Sequence, residues 1–311
     1  MVEKVLVTGG CGFIGSHIVE QLALKGFEIL VVDNLSTGKK SNISGMDVSL
    51  YECSILSPEF HEIVLESQPD YIIHHAAQVS VANSIERPIL DEEINIKGSI
   101  KVIEAALKAK VKKIVYASSA AVYGEPKYFP IDTEHPVYPL SPYGVSKLTV
   151  EKYLEMYHHL HGLDYTVLRY SNVFSPRQDP NGEGGVISIF MEKIKNGEPL
   201  TIFGDGEQTR DFVYVRDVAH ANLMALKNGS GKTFNVSTCK AISLNELSNT
   251  MIQMADDPGK IIFQNERDGD IKKSVLSNQS TISQLGWKPK DSIKDGLNEM
   301  YDLHFSAGKE I

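Results

Sequence analysis

Cysteine is scarce in this chain: only Cys11, Cys53 and Cys239 occur among 311 residues. They are far apart, odd in number and without metal-ligand spacing, which argues against a disulfide scaffold and fits a reducing cytoplasm. Long apolar runs are also missing, and none approaches the ~20 residues that a membrane helix needs. Basic residues are outnumbered, 31 Lys and Arg against 40 Asp and Glu, for a net charge of −9. No Lys/Arg-rich run offsets that balance, so general nucleic-acid binding is not expected. Met1-Val2-Glu3-Lys4 leads straight into an apolar run ending in glycines, which reads as a strand and not as a signal peptide. His158, His159 and His161 lie together, but no other metal-ligating group accompanies them. They read as a solvated helix end, and no metal is expected.

What is present is an ordinary globular composition, 42% apolar and 23% charged, in a chain long enough for one large domain and a smaller lobe. Lys4–Thr8 reads as a buried strand. It is followed by Gly9-Gly10-Cys11-Gly12-Phe13-Ile14-Gly15 and an amphipathic helix through Ile18, Val19, Leu22 and Leu24. Glycines at 9, 12 and 15 allow a tight turn, close approach of the backbone to a pyrophosphate, and packing of helix on strand. The helix N-terminus then faces the anion. A second strand over 28–32 ends in Asp33-Asn34, about 20 residues beyond the glycines, where a carboxylate accepts from a ribose 2′-hydroxyl. The same carboxylate repels a 2′-phosphate, so NAD is favoured over NADP.

Strand-like 48–52, helical 58–65, strand-like 71–74, helical 89–109 and strand-like 113–117 come next. This alternation predicts an α/β fold with a doubly wound parallel Rossmann sheet. Ser118 and Ser119 follow the last of these strands. Ligands in such sheets sit beyond the carboxyl ends of the strands, which puts both serines near the nicotinamide. After a strand over 165–169 the rhythm breaks into a Pro/Gly/Asp/Asn-rich loop over 175–185, a short helix to 196 and a strand over 200–203. Segments 215–227 and 233–236 look like a return to the sheet. The expected division is therefore an NAD-binding Rossmann domain from 1–170 and 211–240, and a smaller α/β substrate lobe from 171–210 and 241–311.

The stretch Ser141-Pro142-Tyr143-Gly144-Val145-Ser146-Lys147 carries the chemistry. Pro142 suits the first turn of a helix, and Tyr143 and Lys147, four residues apart, then share one face. A tyrosine loses its proton near pH ~10, so acting as a base at neutral pH requires help of roughly three units, about 4 kcal/mol. A lysine ammonium a few ångströms away in a partly desolvated site supplies a contribution of that order. A cationic nicotinamide ring adds to it.

These motifs together make the sequence resemble, over essentially its whole length, the extended short-chain dehydrogenase/reductase family and, within it, the UDP-hexose 4-epimerases. The resemblance rests on residues 8–15, 33–34, 74–78, 95, 118–124, 143–147, 169–176, 204–217 and 267–270. It implies that Gly9, Gly12 and Gly15, with Phe13 and Ile14, hold the pyrophosphate of NAD, that Asp33 and Asn34 hold the adenosine ribose, and that Lys147 holds the nicotinamide ribose. Ser54, Ile55, Ala76, Ala77 and Asn95 are implied as further cofactor contacts. Ser54 stands where many relatives carry an Asp that bonds the adenine amino group; a hydroxyl accepts that bond without charge. Ser119 matches the catalytic serine and Tyr143 the base. Asn172 and Arg210, with Arg267 as a second arginine, match residues that hold the diphosphate of the sugar nucleotide, a role that suits bidentate guanidinium.

The mechanism implied is oxidation at C4 to a 4-keto sugar, rotation of that sugar, and return of hydride to its other face. Ser274 occupies the position whose size in the 4-epimerases limits the space beside C2, so a serine there implies acceptance of UDP-N-acetylglucosamine alongside UDP-glucose. Epimerisation of a UDP-uronic acid is an alternative. A 4,6-dehydratase or a decarboxylase would need proton-transferring groups where Ala120 and Ala121 stand. A non-catalytic NAD sensor would be expected to lack Ser119, Tyr143 or Lys147. The resemblance also implies a cytoplasmic homodimer, with helices 89–109 and 143–161 of each subunit packed as a four-helix bundle.

Overall fold

Short runs of Val, Ile and Leu bounded by glycine and polar turns make strands buried on both faces, and such strands need helices on each side. The computed structural model describes residues 2–180, 185–255, 259–266 and 271–306. In chain order, β1 (Lys4–Thr8), α1 (Phe13–Leu24), β2 (Glu28–Val32) and β3 (Ser49–Tyr51) open the fold. They lead to α2 (Pro58–Ser67), β4 (Tyr71–His74), the short helices α3 (Val81–Glu86) and α4 (Pro88–Asp91), then α5 (Gly98–Lys108) and β5 (Lys113–Ser119). The long α6 (Pro142–His161) precedes β6 (Asp164–Tyr170), β7 (Asn172–Phe174), α7 (Val186–Lys195) and β8 (Leu200–Phe203). Then come β9 (Thr209–Tyr214), α8 (Val215–Lys227), β10 (Lys232–Val236) and β11 (Ala241–Ser243). The helix α9 (Leu244–Met254), β12 (Ile261–Gln264) and α10 (Ile293–Ser306) complete the series.

Seven strands form one parallel sheet in the order β10-β6-β5-β4-β1-β2-β3. Alternate residues of β1 show how it is covered. Val5 and Val7 join Ile18, Val19 and Leu22 of α1 and Val218, Ala221 and Ala225 of α8. Leu6, on the other side, joins Phe60 of α2, Val102 and Ile103 of α5, and Val150 and Leu154 of α6. Each fully buried aliphatic side chain contributes about 1.5–3 kcal/mol relative to exposure, so both layers are strongly held. The order of strands reverses between β1 and β4, the switch point where open α/β sheets form their ligand crevice.

Beyond the carboxyl ends of this sheet lies a second assembly. β9 pairs parallel with β7 and antiparallel with β11, while β8 and β12 form a separate parallel pair. A third apolar cluster fills it, with Phe174, Phe190, Met191, Ile202, Leu247 and Leu297 fully buried.

The helix expected over 89–109 forms, running without a break from Pro88 to Lys108, but its middle is irregular. Between α4 and α5 the chain takes wider, π-type turns over Glu92–Lys97, a feature frequent beside functional sites. The reason is tertiary. Asn95 is drawn inward: its Oδ1 accepts from Gln78 N–H and its Nδ2 donates to Gln78 O, each at 2.8 Å.

Candidate active site

At the switch point, β1 ends in the glycine loop. Gly9 has φ +71°, the left-handed region that disfavours a side chain. A Cβ on Gly15 would fall 2.1 Å from Gly9 O, so α1 starts in direct contact with the loop. α1 has neither a side-chain cap nor an acidic residue in its first turn. Its N-terminal N–H groups and positive dipole end are thus left for an anion. Asp33, at the end of β2 and 6% exposed, braces this loop: Oδ2 accepts from Cys11 N–H at 2.9 Å and Oδ1 from Leu35 N–H at 2.8 Å. Both oxygens retain lone pairs for a ribose hydroxyl.

A cavity of about 650 Å³ opens from this point. The glycine loop with Phe13 and Ile14 forms one end, beside Asp33 and Asn34. Ser54 and Ile55 after β3, and Ala76 and Ala77 after β4, form its flank. Ser54 Oγ accepts from Leu56 N–H at 3.1 Å, stiffening its own turn. Ser119, Tyr143, Lys147 and Asn172 line the far end. Residues far apart in sequence therefore share one cleft.

The start of α6 is built as its sequence suggests. Ser141 Oγ accepts from Gly144 N–H at 3.1 Å, with Pro142 in the first turn. Lys147 is 4% exposed. Its Nζ donates to Ala117 O at 2.8 Å and lies 5.8 Å from the centre of the Tyr143 ring and 5.1 Å from that of Tyr116. Burial brings its pKa down from 10.5 to about 8, with the Asp91 and Glu151 carboxylates opposing the shift. The lysine therefore stays charged at neutral pH. Ser119 Oγ accepts from Ala121 N–H at 3.2 Å, which orients the hydroxyl at the end of β5.

Several anticipated residues stand elsewhere. Asn95 lies behind the cavity wall, 1% exposed. Besides holding Gln78, its Nδ2 donates to Asp91 Oδ1 at 3.0 Å and to Ser146 Oγ at 3.2 Å. Arg210 Nη1 donates to the carbonyls of Thr209 and Ile271 at 2.9 and 2.6 Å. Ser274 N–H donates to Thr209 O at 3.1 Å. Arg210 and Ser274 belong to this strand edge and not to the described cavity lining. Arg267 lies outside the described residues.

Sequence reading missed part of the wall. Arg177 lines the cavity while its Nη2 donates to Glu20 at 3.0 Å and its Nη1 to Ser16 at 3.1 Å, so the loop after β7 is tied to α1. A cation in a Pro/Gly-rich loop at a strand end was the available signal. His75 and Tyr170, 3.0 Å apart through Nε2 and Oη, also line the cavity. Burial takes His75 down to about 3, so it is neutral at physiological pH. Among the described residues no cluster of metal-ligating side chains occurs, and no helix is long and apolar enough to cross a membrane.

A loop whose Gly9 and Gly15 leave no room for a Cβ, an uncapped helix end and a carboxylate with lone pairs to spare fit a dinucleotide. The family model of the NAD dependent epimerase/dehydratase family matches residues 5–237. The chain belongs to that family. A UDP-glucose 4-epimerase of Mycolicibacterium smegmatis is 38% identical over 300 residues, covering 94% of this chain and 96% of that protein. The UDP-glucose 4-epimerase of Thermotoga maritima, solved with UDP-glucose, superposes with a TM-score of 0.94 at 42% identity, covering 98% of this chain and 99% of that one. A UDP-N-acetylglucosamine 4-epimerase of Methanobrevibacter ruminantium M1, solved with UDP-N-acetylmuramic acid, also gives 0.94, at 35% identity and covering 99% and 100%. Within its family the chain is thus an NAD-dependent nucleotide-sugar 4-epimerase acting on a UDP-sugar.

Proposed function

We propose that the chain interconverts UDP-glucose with UDP-galactose and UDP-N-acetylglucosamine with UDP-N-acetylgalactosamine. The observation that carries this is the single cavity joining the dinucleotide loop to Ser119, Tyr143 and Lys147. The glycine loop and Asp33 would hold NAD, which would supply the hydride acceptor and donor for C4 of the sugar. Tyr143 removes the proton of the C4 hydroxyl, aided by the Lys147 ammonium, and Ser119 hydrogen-bonds the same oxygen. Asn172, which lines the cavity, is assigned to the diphosphate, and the resemblance adds Arg210, at the strand edge, and Arg267; the hexose then stays free to turn, which is what inversion requires. In this reading residues 1–170 and 211–240 serve the dinucleotide, and 171–210 and 241–311 the sugar nucleotide.

Breadth of substrate rests on likeness both to an epimerase solved with UDP-glucose and to a UDP-N-acetylglucosamine 4-epimerase, and on the resemblance at Ser274, which stands on the strand edge beside Thr209 and outside the described cavity lining. The test supplies purified protein, without added NAD, with each sugar nucleotide and follows C4 inversion by proton NMR. Inversion of both is expected. Inversion of UDP-glucose alone removes the wide gate; inversion of neither, even with NAD added, removes the reading. Ser274→Tyr is expected to reduce turnover of the N-acetylated sugars by roughly tenfold or more while sparing the plain hexoses. Equal loss for both would discard the gate.

We further propose a cytoplasmic homodimer. Ile85 and Ile89 near α4, and Val145, Met156 and Leu160 on α6, are 62%, 77%, 47%, 41% and 61% exposed, an apolar face that a second copy would cover. Sedimentation at micromolar concentration is expected to give twice the mass of one chain. A monomer at that concentration refutes the assembly.

A further inference from the structure

We infer that Ser118, Glu151 and Arg169 form a positioning brace that sets Ser119 against Tyr143 and Lys147, a role that rests on the epimerase reading and deepens it. Ser118 and Arg169 are cross-strand partners at the ends of β5 and β6, and both reach one carboxylate. Ser118 Oγ donates to Glu151 Oε1 at 2.5 Å. Arg169 Nε donates to the same oxygen at 3.0 Å, and its Nη2 donates to Oε2 at 2.6 Å. The three residues, Ser118, Glu151 and Arg169, are 3%, 5% and 6% exposed, so water does not compete for these charge-assisted bonds.

The placement matters more than the pairing. Glu151 stands on α6 one turn beyond Lys147 and two beyond Tyr143, on their face of the helix. Lys147 reaches the carbonyl of Ala117, and Glu151 reaches the hydroxyl of Ser118. Two successive strand residues are thus tied to two successive helical turns, which fixes the register of β5 along α6. Apolar packing alone would hold strand and helix together without setting that register.

Arg169 secures the other side. Its guanidinium lies 4.8 Å from the centre of the Tyr123 ring, and Tyr123 follows the turn Ala120–Val122 that Ser119 caps. The Tyr123 Oη donates to Asn235 Oδ1 at 2.6 Å, anchoring the ring in turn to β10. Ser119 is therefore bracketed, by Ser118 before it and Tyr123 after it, through a single ion pair. A shift of an ångström there takes its hydroxyl off the oxygen that Tyr143 serves, and misplacements of that size cost on the order of 10²-fold in rate.

Ser118→Ala tests the brace because it removes one bond and leaves Glu151 paired with Arg169; Ser118→Thr keeps the hydroxyl. For UDP-glucose inversion, Ser118→Ala is expected to lower kcat roughly tenfold or more with KM within about twofold of wild type. Bound NAD is expected to match wild type, the melting temperature to fall by only a few degrees, as one lost buried bond of about 1–3 kcal/mol implies, and Ser118→Thr is expected to restore most of kcat. The role is overturned if Ser118→Ala keeps wild-type kcat, if its loss tracks loss of NAD or of folded protein, or if threonine does not rescue. The wild-type arm separates the two readings. No inversion by wild type removes the epimerase reading and this role with it, whereas inversion by wild type and Ser118→Ala alike removes only the role.

Discussion

Tyr143→Phe is expected to cut kcat for C4 inversion by about 10²–10⁴-fold, the range for a lost general acid–base group. The substitution deletes one oxygen and leaves the ring, so the cavity wall and the start of α6 keep their packing. Bound NAD and the melting temperature should therefore stay close to wild type. The size of the loss follows from the work the phenol does. Without help it holds its proton to pH ~10, and bringing it into use near neutrality takes about 4 kcal/mol. Lys147 Nζ, 5.8 Å from the centre of the Tyr143 ring and buried, provides part of that through a Coulomb interaction that a low-dielectric site strengthens. The check is single-turnover reduction of bound NAD, followed by its absorbance, beside steady-state inversion. A Tyr143→Phe enzyme that retains more than about a tenth of wild-type kcat would mean that another group takes the proton.

The glycine loop, Asp33 and the Tyr143–Lys147 pair were legible in sequence because each is local. A tight turn after an apolar run, a carboxylate at a strand end and a four-residue spacing behind a proline all have physical meaning within one segment. What the sequence could not display was decided by contacts across the chain. The helix drawn over 89–109 widens into π-type turns where Asn95 bonds Gln78, and apolar periodicity carries no record of that partner. Asn95 was anticipated as a cofactor contact and stands behind the wall. Arg177 was passed over because its meaning depends on Ser16 and Glu20 on a distant helix. Glu151 is one charge among several on α6 and Arg169 stands near the end of an apolar strand, and only the pairing of β5 with β6 brings them to Ser118. In each case a side chain was readable and its partner was not.

Lys147→Met should abolish most activity, on the order of 10²-fold or more, and yet leave dinucleotide-free protein at least as stable as wild type at pH 7. The two effects share one cause. Burial lowers the pKa of Lys147 from 10.5 to about 8. At pH 7 the folded state therefore holds an ammonium at a cost of about 3 kcal/mol relative to the unfolded chain. Methionine removes that cost and fills similar volume. It also leaves Ala117 O without its donor, which returns about 1–3 kcal/mol of the gain. A net stabilisation of roughly 1 kcal/mol remains, about 2 °C in melting temperature. The sign in pH follows from proton counts. Between pH 8 and 10.5 the unfolded lysine still binds a proton that the folded one has released, so wild-type stability from this group rises with pH through that window. Below it the cost is complete, and above it the cost is gone. The methionine protein lacks this rise, so the difference between the two melting temperatures should shrink, and then reverse, from pH 7 to pH 10.5. Thermal melts of both proteins across that range, with NAD removed and Tyr143→Phe in both backgrounds, read the difference and cancel the titrating groups that Lys147 does not touch. A methionine variant that melts several degrees lower at pH 7, with a gap that does not change with pH, would show that the ammonium is no burden to the fold.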